Sequence, residues 1–123
     1  MRKLRVVQIG SLDVSIFLVT RKELEALVPT KKDECLYGYS DPLNGKIYLV
    51  DEGHITSLED TYLHEIIHVL MEVSGLRGVF RALAKSESDA ETLEESVVRG
   101  LAPVLLRTLK NAGFKTPSLR GRK

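Results

Sequence analysis

The chain has no tryptophan, four prolines and a single cysteine, and none of its apolar runs is long enough to cross a bilayer. The lone Cys35 excludes an internal disulfide and suits a reducing compartment. Without the roughly 18 to 20 consecutive apolar residues of a spanning helix, a membrane location is not expected. The opening MRKLRVVQIG breaks its apolar run with Arg5 and Gln8, unlike a signal peptide, so the expected location is the cytoplasm. An excess of one charge is also missing. Eighteen Lys and Arg against 17 Asp and Glu leave a net charge of +1, which provides no global attraction to nucleic acid or anionic lipid. What is present is the composition of a soluble globular chain of 123 residues, 43% apolar and 28% charged, enough for one domain with a continuous core.

Periodicity and turn residues divide that chain into an α+β pattern. Residues 3–9 and 14–19 are short, β-branched and partly alternating, with Gly10-Ser11 between them, and predict a first hairpin. Thr20 followed by Glu23 is a capping box for a short helix to Ala26 or Leu27, ended by Pro29. Residues 35–39 and 46–50 flank SDPLNG, whose Asp-Pro and Asn-Gly pairs predict a second hairpin. Thr56 with Glu59, and Ser57 with Asp60, offer caps for a helix reaching about Ser74 and stopped by Gly75. A short helix is expected within LRGVFRALAKSES. A capping box at Ser88 and Glu91 then opens a last helix that Gly113 ends and Pro103 bends. The domain is expected to occupy residues 1–113: two β-hairpins forming a small, mainly antiparallel sheet, packed on the helix around residue 65 and on the C-terminal helix. Residues 114–123 form a basic tail, expected to be mobile, and the only feature that points toward nucleic acid.

The stretch TYLHEIIHVL, residues 61–70, carries two of the three histidines at i and i+4. On a helix such positions stack on one face with Cβ atoms roughly 5 to 6 Å apart, close enough for two imidazoles to grip one metal ion. His64 and His68 are therefore metal-ligand candidates, and Glu65 borders the same face as a general base acting on a metal-bound water. Tyr62, Ile66, Ile67, Val69 and Leu70 supply the uncharged surroundings of the motif and predict a largely buried helix. Its polar seam, Thr61, His64, Glu65, His68 and Glu72, contains no lysine or arginine, and neither does any position from Thr61 through Gly75. A solvated face would collect such residues, and histidines in an apolar helix call for a partner cation.

Catalytic zinc takes three protein ligands and leaves a fourth position open. His54 reads as a surface-loop histidine, and no histidine follows His68. The third ligand is thus expected to be a carboxylate of the last helix, among Glu91, Glu94 and Glu95. Glu95 heads an apolar stripe with Val98, Ala102 and Leu105 at +3, +7 and +10, which favours it; Glu91 and Glu94 read as solvated or capping residues.

In LYGYSDPLNGKIYL, LHEIIHVL and ESVVRGLA, the chain resembles the HExxH…E gluzincins, specifically the small phage and mobile-element metallopeptidase-like proteins related to the ImmA/IrrE type. The resemblance covers most of residues 35–110. It implies a minimal zincin-like fold, zinc held by His64, His68 and Glu95, and Glu65 as general base. Arg99 stands where that group commonly has asparagine. The expected function is zinc-dependent hydrolysis of a peptide or protein substrate, an extended peptide aligning along residues 46–50 as a sheet edge. Tyr37, Tyr39, Tyr48 and Tyr62 are candidate oxyanion stabilisers. The alternative is a non-catalytic zinc-binding domain of the same fold that acts through protein contacts.

Overall fold

A computed structural model describes residues 1–28, 37–51 and 55–115. Strands β1 (Arg2–Ile9) and β2 (Leu12–Val19) form the first hairpin, closing at Ile9 opposite Leu12 around Gly10, whose φ of 61° suits a residue without Cβ. Helix α1 (Arg21–Leu27) begins as the sequence predicts: the Glu23 N–H donates to Thr20 Oγ1 at 3.2 Å and the Thr20 N–H to Glu23 Oε1 at 2.9 Å. Cys35 lies outside the described residues, as do His54 and the tail from Thr116 onward.

Strands β3 (Gly38–Asp41) and β4 (Lys46–Val50) form the second hairpin, joined by a 3₁₀ turn over Pro42–Asn44. Gly45 ends that turn at φ 63°, where a Cβ would stand 2.7 Å from the Asp13 carbonyl oxygen. The strand order is β1-β2-β4-β3. Each hairpin is antiparallel, but β2 and β4 pair in parallel, from Ser15 opposite Lys46 to Val19 opposite Val50. The sheet is therefore mixed, within the expected α+β class. β4 is an interior strand, not the edge the sequence reading assigned to residues 46–50. Ile47, Tyr48, Leu49 and Val50 are all buried, the continuous apolar run of a strand covered on both faces. The edge beside the hairpin turn belongs to β3.

Alternation along the strands sends side chains to two cores. Ile47 and Leu49 join Val14, Ile16, Leu58, Tyr62 and Val69 on the face covered by α2 (Ile55–Val73). Tyr48 and Val50 join Val19, Leu24 and Val28 under α1, with Phe17 stacked on Tyr48 at 5.5 Å between ring centroids. After α3 (Leu76–Leu83), helix α4 (Glu87–Asn111) returns across α2, and Ile67, Met71, Val98 and Ala102 form a third, smaller core between them. Three expectations need correction here. α2 begins at Ile55, so Thr56 and Ser57 lie inside its first turn. Leu70 and Val73 are exposed, so α2 is buried on fewer sides than the sequence predicts. The cap of α4 is Ser86, two residues before the expected one: the Asp89 N–H donates to Ser86 Oγ at 3.1 Å.

Candidate metal centre

One turn of α2 sets His64 above His68, with ring centroids 4.9 Å apart and Nε2 atoms 3.3 Å apart. α4 brings the third group. Glu95 places Oε1 2.9 Å from His64 Nε2 and Oε2 3.0 Å from His68 Nε2. Donor atoms of these three side chains lie within 4.8 Å of one another, close enough to hold a metal ion. His64 and Glu95 keep 23% and 36% of their side-chain surface open, so the cluster can be reached from outside. It faces an open cleft of about 680 Å³ and borders a second of about 360 Å³; Gly38, His64, Glu65, Glu95 and Arg99 line both.

Behind the cluster stands a carboxylate that sequence reasoning assigned to solvent. Glu94 is buried, and its Oε2 lies 2.6 Å from His68 Nδ1. Arg77 of α3 donates through Nε to Glu94 Oε1 at 2.7 Å and through Nη2 to Oε2 at 2.9 Å. Arg77 Nη1 also donates to Glu72 at 3.0 Å. With Nδ1–H directed at Glu94, His68 turns Nε2 toward Glu95 and the cleft, which is how outer carboxylates orient ligand imidazoles. The apolar stripe explains the misassignment: the buried positions of α4 are Ala90, Glu94, Val98, Ala102 and Leu106, so Glu94 occupies the stripe and Glu95 sits beside it. Arg77 was missed altogether. Its signal was available, because it is the first cation after the cation-free stretch 61–75. Glu91 is exposed and lines only the cleft wall.

Charge in the cluster is mutually compensated. Hydrogen bonds from His64 and His68 hold the Glu95 carboxyl well below the usual carboxylate range, against the opposing effect of burial. Burial pushes Glu94 up, but Arg77 and His68 together bring it below its ordinary value. Burial likewise pushes His68 down, and the hydrogen bonds with Glu95 and Glu94 outweigh it, so its imidazole is raised above its ordinary value.

Glu65 differs from both. It is 7% exposed, and burial raises its carboxyl despite the opposing influence of His68, His64 and a hydrogen bond with the Ser40 side chain. Its position depends on β3. A Cβ at Gly38 would stand 2.7 Å from Thr61 Cγ2 and 3.2 Å from Glu65 Cγ, so glycine lets the strand pass directly over the helix. The arrangement places a buried carboxylate beside three convergent donors, under a strand whose outer edge is unpaired among the described residues. Of the four tyrosines, Tyr48 and Tyr62 are buried in the cores, whereas Tyr39 borders the larger cleft and Tyr37 the smaller.

No helix among the described residues is long and apolar enough to cross a membrane. Comparison of the chain with protein-family models, with curated proteins and with solved structures gave no match.

Proposed function

We propose that the chain is a zinc-dependent peptidase of the gluzincin kind, working in the cytoplasm on a peptide or protein substrate. The observation that carries this reading is the convergence of His64, His68 and Glu95 within 4.8 Å, with buried Glu65 alongside. Two imidazoles and a carboxylate are the donor set of open, catalytic zinc sites, and zinc bound there would supply Lewis acidity toward a water and a substrate carbonyl. Glu65 accepts the proton of the attacking water, and the same proton passes to the amine nitrogen as the C–N bond breaks, leaving an acid and an amine. Glu94, braced by Arg77, holds the His68 ring in place through this exchange. The outer edge of β3 offers backbone donors and acceptors along which an extended substrate can lie.

A second reading, a non-catalytic zinc domain acting through protein contacts, draws on Arg99. Its Nε donates to Glu95 Oε1 at 3.1 Å, setting a cation against a proposed ligand where the two clefts meet.

Glu65→Gln separates the two. Protein purified without an affinity tag is expected to carry stoichiometric zinc in both forms, while cleavage of a peptide library falls by about 10²- to 10⁴-fold in the variant. Equal behaviour of wild type and variant in cleavage and in every binding assay would leave the catalytic reading without support. Absence of zinc from both would remove the metal reading as well.

A further inference from the structure

Helix α4 has a second face that the site does not use. Leu93, Val97, Leu101 and Val104 are 44%, 41%, 44% and 57% exposed, large apolar side chains left in water along one helix. Their spacing of four, four and three residues gathers them within about 80° of arc, about half a turn away from Glu95. Gly100 falls at the margin of the same arc. A Cβ there would meet nothing within 4 Å, so no packing inside the chain requires a glycine in the middle of a long helix. A helix interior disfavours glycine relative to alanine, and the close approach of another backbone is a physical reason to keep one.

The charges of α4 are segregated along its length. Glu87, Asp89, Glu91, Glu94 and Glu95 all precede Ser96, and Arg99, Arg107 and Lys110 all follow Val98. A helix acidic in its first half and basic in its second complements a copy of itself running the other way. The register agrees with the apolar stripe. A two-fold axis near residues 98 and 99 sets Leu93 opposite Val104 of the second copy, Val97 opposite Leu101, and Asp89 opposite Arg107. Asp89 and Arg107 lie on the same flank of the stripe, and in antiparallel helix pairs like flanks meet. Both are exposed, and neither has an ion-pair partner among the described residues.

We propose that α4 pairs antiparallel with α4 of a second copy of this chain, through the Leu93–Val97–Leu101–Val104 stripe with Gly100 near the crossing. The pairing face points away from the cleft, so the dimer leaves the proposed metal site open, and its existence does not depend on that site. The stripe from Leu93 to Val104 runs about 17 Å along the helix, which places the contact among the smaller interfaces.

Sedimentation velocity on the full chain, metal-free and zinc-loaded, from low micromolar to several hundred micromolar, tests this. A monomer–dimer equilibrium is expected in both states. Leu101→Glu should abolish it with far-UV circular dichroism unchanged. Asp89→Arg and Arg107→Asp, each alone, should raise the dissociation constant about tenfold, and the double exchange should return it toward the wild-type value. A monomer at every concentration overturns the proposal, as does a dimer indifferent to Leu101→Glu. A double exchange no better than either single one overturns the antiparallel register and the proposal with it. Loss of dimer with zinc binding intact, or the reverse, tells the failure of this proposal from that of the catalytic one.

Discussion

Adjacent residues on a helix point about 100° apart, and on α4 that angle separates two carboxylates with different tasks. Glu95 meets the cleft-side nitrogens of both histidines, and Glu94 meets the far nitrogen of His68 from within the core. Glu94→Gln keeps the shape but removes the charge that holds His68, so zinc affinity should fall by about 10- to 100-fold in a competitive chelator titration, with all three ligands retained. Glu95→Ala removes a proposed ligand and should cost more. If Glu94→Gln binds zinc as tightly as wild type, His68 does not rely on Glu94 for its orientation. Arg77→Gln withdraws two hydrogen bonds from the buried Glu94 carboxylate and should destabilise the metal-free protein by about 1–3 kcal/mol in urea unfolding. The His64–Glu65–His68 constellation was legible in the sequence because all three lie within five residues of one helix, where local geometry is set by the chain itself. The Glu94–Glu95 division was not. A buried stripe stepping by four residues rotates about 40° per step, so counting from apolar positions further along misjudges which carboxylate faces inward.

Two glycines in different elements make opposite predictions from the same substitution. Gly38 lies where β3 crosses α2, and an added methyl would press on Thr61 and Glu65 as well as on the Tyr48 carbonyl oxygen at 3.1 Å. Gly38→Ala should destabilise the fold by about 1–3 kcal/mol and displace Glu65, lowering any hydrolytic activity more than zinc affinity. Gly100 sits on α4 with open space around it. Gly100→Ala should stabilise the dilute, monomeric chain by about 0.5–1 kcal/mol through helix propensity alone. Thermal melts of both variants at low concentration check the pair, and a stable Gly38→Ala protein would show that the strand can move off the helix. At this scale the sequence was informative wherever a local signal existed. The Thr20–Glu23 box opened α1, and Asp-Pro with Asn-Gly announced the turn before β4. It misled where a signal was duplicated: serines at 86 and 88 each precede an acidic residue three positions on, and only Ser86 caps. The apolar run KIYLV was itself the mark of an interior strand, and assigning it to an edge overlooked that both of its faces would be buried.

Across the whole molecule, α2 is the shared wall of two layers, with the sheet on one side and α4 on the other. The α+β class followed from the order of elements, but the parallel junction of β2 with β4 did not, because nothing local states which way a second hairpin docks on the first. The α2–α4 layer rests on a small core of Ile67, Met71, Val98 and Ala102, tied at its far end by Lys110 Nζ donating to Glu59 Oε1 at 2.7 Å. A metal held by His64 and His68 on α2 and Glu95 on α4 would cross-link this thin layer from the cleft side. Because such an ion binds the folded chain and the unfolded one lacks the assembled site, linkage fixes the size of the effect: free zinc at 100 times its dissociation constant should add about 2.7 kcal/mol. For a domain of this size that corresponds to a rise in Tm of roughly 10 °C. The gain should vanish with a strong chelator and in Glu95→Ala, whose melt should not respond to zinc, while Glu65→Gln should retain it in full. Should zinc leave the wild-type melt unmoved, or raise that of Glu95→Ala equally, the three side chains do not form the binding site, and α2 and α4 are held by the apolar core, the Lys110 tie and the histidine–glutamate contacts without a metal.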